Sequence, residues 1–161
     1  LHLWQKNPYG YRCMSEFSIR LMTTADLPAV LSIEARAHSF PWTSGIFEDG
    51  LKSGYYMTVM EQGATVIGYG VVQVILDEGH LLNITIDPKR HGKGLGRQLL
   101  HHLLDYARNR TDTLFLEVRP SNIHAVGLYQ AEGFNEVGLR RNYYPVAGGG
   151  REDAMVMAMA F

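Results

Sequence analysis

One hundred and sixty-one residues is the length of a single ordinary domain, and a composition 46% apolar and 19% charged is that of a globular chain rather than a disordered one. A formal net charge of −1 excludes nucleic-acid binding through a general basic field, and one cysteine, Cys13, excludes a disulfide within the chain. No apolar run approaches the roughly 18–20 residues that span a bilayer, and Leu1 to Cys13 has no continuous apolar core to act as a signal peptide. The expectation is a cytoplasmic chain with neither membrane nor nucleic acid as a direct partner.

In chain order, residues 1–13 read as an appendage, flexible or foreign to the domain, which occupies residues 14–161. Phe17 to Leu21 is strand-like. Thr23 to Asp26 supplies capping residues for a helix whose apolar face is Leu27, Val30, Leu31 and Ile33, with Pro28 in the tolerant first turn. Pro41 and Trp42 break that pattern, and Thr43 to Leu51 predicts a second short helix. The apolar runs Tyr55–Met60, Val66–Ile75 and Leu81–Ile86 predict three strands. Leu95, Leu99, Leu103 and Ala107 then recur at helical spacing within Gly94 to Arg108. Leu114–Val118 is a strand, Ile123–Ala131 a helix with Gly133 past its end, and Phe134–Leu139 and Ala154–Met159 are closing strands. The order predicts an α/β fold: one mixed sheet with helices on both faces and two parallel neighbours drawn from residues 81–131. In such sheets ligands bind beyond the carboxyl ends of the strands, where neighbours separate.

Between the strand ending at Ile86 and the helix beginning near Leu95 lies Asp87-Pro88-Lys89-Arg90-His91-Gly92-Lys93-Gly94-Leu95-Gly96-Arg97. Alternate glycines let a ligand approach the backbone, and the helix start adds unpaired N–H groups and a positive dipole end. Two better-known phosphate loops do not fit. Lys93 lies between glycines with no Ser or Thr after it, and position 97 is arginine where a dinucleotide fingerprint needs glycine or alanine. The residues alone leave two readings, a phosphate cradle or a plain turn closing strand onto helix.

The segment His91-Gly92-Lys93-Gly94-Leu95-Gly96 resembles the [QR]-x-x-G-x-[GA] signature of the GCN5-related N-acetyltransferase (GNAT) superfamily, with His91 where Gln or Arg is usual. His38-Ser39-Phe40-Pro41-Trp42, Leu76-Asp77-Glu78, Asn83-Ile84, Leu116-Glu117-Val118-Arg119, Ser121-Asn122, Leu128-Tyr129, Gly133-Phe134-Asn135 and Arg141-Asn142-Tyr143-Tyr144-Pro145 are similar to the bacterial ribosomal-protein-alanine branch of that superfamily. The resemblance spans Met14 to Phe161. It implies a GNAT fold, mostly antiparallel with a central splayed parallel pair. It also implies acetyl-CoA as co-substrate, no metal, and as partner the N-terminal alanine of protein eighteen of the small ribosomal subunit. The pyrophosphate would lie on His91, Gly92, Lys93, Gly94, Leu95, Gly96 and Arg97. The pantetheine arm would pair with the backbone of Ile84, Thr85 and Ile86 as an added strand does, with Asn122 as a further cofactor contact.

Acetyl transfer needs a neutral amine and then a proton for the departing thiolate. A free α-amine, with a pKa near 7.7–8.0, is roughly one-tenth neutral at pH 7, whereas a lysine near 10.4 is almost never so. Glu117, in the apolar run Leu114-Phe115-Leu116-Glu117-Val118, reads either as a base with a carboxyl raised by desolvation or as an ion-pair partner of Arg119. The resemblance implies the base. Tyr129 shares a helical face with Ala125 and Val126 and by pattern alone is core; the resemblance implies the proton donor. Asn122 also suits a helix cap.

Asp77 and Glu78 either attract a basic peptide or are solvated turn charges, and Tyr143 and Tyr144 with Arg140 and Arg141 either shape a peptide cleft or simply pack. His101 and His102 are adjacent on a helix and diverge, which suits a metal poorly. Cys13 as an acyl carrier has no partner nearby in sequence. The alternatives are the same fold acetylating lysine or a small amine, and a non-catalytic acyl-CoA sensor.

Overall fold

The computed structural model describes residues 4–7, 10–13 and 17–161, with side chains from Phe17 onward. Trp4–Asn7 (β1) and Gly10–Cys13 (β2) form an antiparallel pair with Trp4 opposite Cys13. They fall within the arm expected over residues 1–13 and pair with each other rather than with the main sheet; any role for the Cys13 side chain lies outside the described residues.

Seven strands make the main sheet: Phe17–Leu21 (β3), Tyr56–Gln62 (β4), Thr65–Ile75 (β5), Glu78–Ile86 (β6), Thr113–Val118 (β7), Asn135–Pro145 (β8) and Arg151–Ala160 (β9), in the spatial order β3-β4-β5-β6-β7-β9-β8. Four helices cover it: Leu27–Ala37 (α1), Ser44–Lys52 (α2), Leu95–Arg108 (α3) and Ile123–Glu132 (α4). The period-two alternation of the strands divides the apolar side chains between two cores. On one face α1 and α2 bury Val30, Ile33 and Phe47 against Val59, Tyr69 and Val71. On the other, Leu99, Leu100 and Leu103 of α3 and Tyr129 of α4 pack with Ile67, Val72, Leu114 and Leu116. Gly70 permits this approach, since a Cβ there would stand 2.5 Å from a Leu103 methyl. Among the described residues no helix is long and apolar enough to cross a membrane.

One departure from regularity creates the site. β6 and β7 are the parallel pair, but their ladder runs only from Glu78 opposite Thr113 to Leu81 opposite Leu116. The pairing of β5 with β6 slips between Val71 and Val72, leaving Leu82 as the extra residue of a bulge. Beyond it β6 continues to Ile86 paired to β5 alone, and β7 continues to Val118 paired to β9 alone. A wedge therefore opens between the two central strands at their carboxyl ends.

The predicted order of elements agrees with the observed one, with different boundaries. The strand expected from Leu81 begins at Glu78, because Leu76 (φ 54°) and Asp77 form a tight turn that pairs Ile75 with Glu78. The closing strands expected over Phe134–Leu139 and Ala154–Met159 extend to Pro145 and back to Arg151. Their ladder with each other supplies backbone bonds where the side chains no longer alternate, and a second irregularity falls between Arg140 and Tyr144.

Candidate active site

The floor of the wedge is the turn from β6 into α3. The Asp87 N–H donates to the Ile67 carbonyl at 2.8 Å, and its carboxylate accepts the Lys89 N–H at 3.0 Å. Arg36 reaches from α1 to the same carboxylate at 2.6 and 3.1 Å, and its guanidinium holds the Asp87 carboxyl below the ordinary range. After a single 3₁₀ turn over Pro88–Arg90 the chain enters the left-handed region twice, at Gly92 (φ 79°) and Gly94 (φ 73°). Only glycine does this without strain, and the space beside both is open. The first backbone bond of α3 runs from Gln98 N–H to Gly94 O at 3.2 Å, so the N–H groups of Leu95, Gly96 and Arg97 have no intrahelical acceptor. An open loop, three free donors and a helix dipole's positive end fit a pyrophosphate.

The side chains here contribute less than the backbone. His91 turns back to donate from Nε2 to the Ile86 carbonyl at 3.0 Å, bracing the end of β6. Arg97 lies against α4, its Nε 2.9 Å from Glu132, where His101 joins at 2.6 Å. Lys93 is exposed on the loop, whereas the Leu95 side chain is core. The backbone of Ile84, Thr85 and Ile86 has no β7 ladder beside it and borders the wedge. Ile86 is a core side chain; Thr85 is buried too, but bonded to Asn83 and His38 rather than packed among hydrocarbons. Asn122 caps α4, its Oδ1 accepting the Ala125 N–H at 3.2 Å.

Glu117 is the first residue of β7 past the end of the parallel ladder. Its side chain is 25% exposed and its Oε1 lies 2.9 Å from Arg140 Nε. The ion pair is with Arg140 on β8, not with Arg119, which instead meets Glu152 at 3.3 Å. A second irregularity of the β8–β9 pairing brings Arg140 and Tyr143 toward β7, and no run of apolar residues announces it. The Glu117 carboxylate beside Tyr143 holds that phenol above the ordinary tyrosine range. Tyr144 is pushed up first by burial and then by the charge of Glu117, with Tyr143 and Tyr129 also close enough to act on it.

Tyr129 is 8% exposed, edge-on to Phe134 at 5.7 Å between ring centres, and burial pushes its phenol up to about 12. It stays a donor throughout the neutral range.

Two clefts of about 640 Å³ each meet beside Glu117. The first is lined by Glu78, His80, Phe115, Glu117 and Arg140; the second by His38, Phe40, Asn83, Arg119 and Asn122, with Trp42, Leu82, Tyr143 and Tyr144 common to both. The Arg119 guanidinium lies 4.5 Å from the Tyr144 ring and 5.9 Å from that of Phe40, joining β8 to the turn between α1 and α2. His102 meets the Tyr56 hydroxyl at 2.7 Å, on the far side of α3 from His101. Asp77 takes no part in either cleft lining, whereas Glu78 stands at the mouth of the first.

The sequence matches the model of the Acetyltransferase (GNAT) family over residues 23–134. It is 46% identical over 143 residues to the [Ribosomal protein bS18]-alanine N-acetyltransferase of Escherichia coli strain K12, covering 88% of this chain and 96% of that one. The enzyme of the same name from Haemophilus influenzae is 40% identical over 141 residues, covering 87% and 96%. The crystal structure of the ribosomal-protein-S18-alanine N-acetyltransferase from Escherichia coli superposes with a TM-score of 0.84 at 44% identity, over 90% of this chain and 94% of that one. A family match across most of the chain, on a sheet splayed where the family's loop requires it, leaves one assignment: the chain belongs to the acetyltransferase (GNAT) family.

Proposed function

We propose that this protein transfers the acetyl group of acetyl-CoA to the N-terminal α-amine of alanine in ribosomal protein bS18, with Glu117 accepting a proton and Tyr129 donating one. The observation that carries the reading is the position of Glu117. It is the first residue beyond the point where β6 and β7 part, facing clefts lined by residues of both strands, with a fully protonated phenol on the adjoining helix. The relatives at 46% and 40% identity bear this activity in their names. Work on a ribosomal protein implies a cytoplasmic enzyme.

Bound in the wedge, acetyl-CoA supplies an activated thioester. Backbone groups of Ile84, Thr85 and Ile86 hold its arm, and the N–H groups of Leu95, Gly96 and Arg97 hold its pyrophosphate. The α-amine nitrogen attacks the carbonyl carbon, forming the C–N bond as the C–S bond breaks. The nitrogen loses a proton to Glu117, directly or through water, and the sulfur gains one from Tyr129. An α-amine suits this site because roughly one-tenth of it is already neutral at pH 7.

A mass-spectrometric time course with acetyl-CoA and two peptides tests this. One peptide carries the free alanine N-terminus of bS18; the other is blocked at that amine and keeps its lysines. Gain of one acetyl group on the free peptide alone is the expected result. Gain on the blocked peptide moves the acceptor to lysine, and acetyl-CoA binding with no gain on either indicates a sensor.

A further inference from the structure

Among the described residues Glu34 is the most deeply buried carboxylate, 2% exposed near the end of α1, and the reaction leaves it unused. It gathers hydrogen-bond donors from three places. The Trp42 N–H, in the turn between α1 and α2, donates to Oε1 at 3.1 Å. The Asn83 amide of β6 donates at 3.3 and 3.4 Å, and the Tyr69 hydroxyl of β5 donates to Oε2. His38, one turn further along α1, stands 3.6 Å from Oε2.

The bonds continue into the wedge. The Thr85 hydroxyl gives its one proton to Asn83 Oδ1 at 2.7 Å, so His38 Nε2, at 2.9 Å from that hydroxyl, is the donor. Asn83 and Thr85 belong to the half of β6 that has left β7, the edge proposed to hold the pantetheine arm. Trp42 belongs to the turn that walls both acceptor clefts. A single carboxylate thus ties the strand under one substrate to the turn over the other. A neutral apolar residue of the same size fills the space but leaves the Trp42 N–H and the Asn83 amide without acceptors.

We infer that Glu34 is a positioning residue that holds the acceptor turn, residues 38–43, in register with the cofactor strand. This rests on the acetyl-transfer reading for its kinetic consequence, though not for its structural one. The turn is exposed at Ser39, Phe40 and Pro41, and two bonds tie its ends toward β6: His38 directly to Thr85, and the Trp42 N–H through Glu34 to Asn83. Glu34 touches no reacting atom; displacement of the turn affects the acceptor and not the pyrophosphate cradle.

The test compares Glu34→Leu, Glu34→Gln and His38→Ala in the intact protein. Misplacing a substrate-positioning element by about an ångström lowers rates by up to two orders of magnitude. For Glu34→Leu we expect the peptide KM to rise roughly tenfold or more, while the acetyl-CoA dissociation constant stays within about twofold. Glu34→Gln keeps an acceptor for the Trp42 N–H, with the Tyr69 hydroxyl turned to accept from the new amide, and restores the peptide KM to near wild type. His38→Ala, at a side chain already 42% exposed, folds whatever becomes of Glu34→Leu and gives an intermediate rise. Hydrogen exchange at the Trp42 amide needs no turnover: it quickens in Glu34→Leu and not in Glu34→Gln. Equal losses of peptide and acetyl-CoA affinity, or an unchanged Trp42 amide in Glu34→Leu and an unchanged peptide KM in His38→Ala, overturn the inference. Wild-type protein that acetylates neither peptide overturns the acetyl-transfer reading instead, and the Trp42 amide still decides the role of Glu34.

Discussion

The groove from Ile84 to Arg97 is made by one unbroken stretch of chain, whereas the groups around Glu117 come from α1, β6, β7, β8 and β9. The first region works through backbone: left-handed glycines, free N–H groups and an unpaired strand edge. The second works through side chains that meet only because the sheet folds, as Arg140 meets Glu117 and Glu34 meets Asn83. A backbone site needs few particular side chains and tolerates His91 at its first position. A side-chain site is only as good as the packing that aims it.

The largest expected effect separates the two regions outright. Glu117→Gln keeps size and shape but cannot accept the amine proton, and loss of a general base lowers kcat by roughly 10²–10⁴-fold. The acetyl-CoA dissociation constant, read by calorimetry, stays unchanged because no cofactor contact is altered. A variant that turns over normally removes Glu117 from the chemistry. One that loses acetyl-CoA binding instead shows that the two regions are not independent.

The sequence makes the same division visible from another side. The strand–loop–helix from Leu81 to Arg108 was legible because helical spacing, alternate glycines and the apolar run all lie within thirty residues. The partner of Glu117 was not, because Arg140 lies on a polar strand that shows no alternation, and its approach depends on an irregular ladder. Arg119 was the nearer candidate in sequence, but Glu152 and the rings of Phe40 and Tyr144 take it. Nothing in the sequence sets Glu34 apart; only the tertiary approach of Tyr69, Asn83 and the Trp42 N–H reveals why it is buried.

An intermediate effect comes from the backbone region. Gly94 has φ 73° with open space beside it, so Gly94→Val meets no steric obstacle other than the backbone conformation itself. Forcing a β-branched residue into that region costs about 1–2 kcal/mol. A loop that relaxes out of the left-handed region loses its cradle, and acetyl-CoA binding weakens by about 5–30-fold, the same energy expressed as a ratio. The peptide KM at saturating acetyl-CoA stays as it was. A valine variant with unchanged acetyl-CoA affinity indicates that the free N–H groups of α3, rather than the glycine loop, carry the pyrophosphate.

The smallest effect bears most directly on whether the first region is a backbone device. His91 stands where the family's signature has Gln or Arg, yet its imidazole is exposed and bonds inward to the Ile86 carbonyl at 3.0 Å. That bond uses the Nε2 proton. His91→Ala therefore removes a brace from the end of β6, worth about 0.5–1.5 kcal/mol of stability by thermal or denaturant unfolding. Because the N–H groups of Leu95, Gly96 and Arg97 are untouched, acetyl-CoA affinity falls by less than about threefold. A tenfold fall with unchanged stability makes the imidazole a direct ligand of the cofactor. The groove would then depend on an aimed side chain, as the acceptor region does, and the contrast between the two would lie in sequence distance alone.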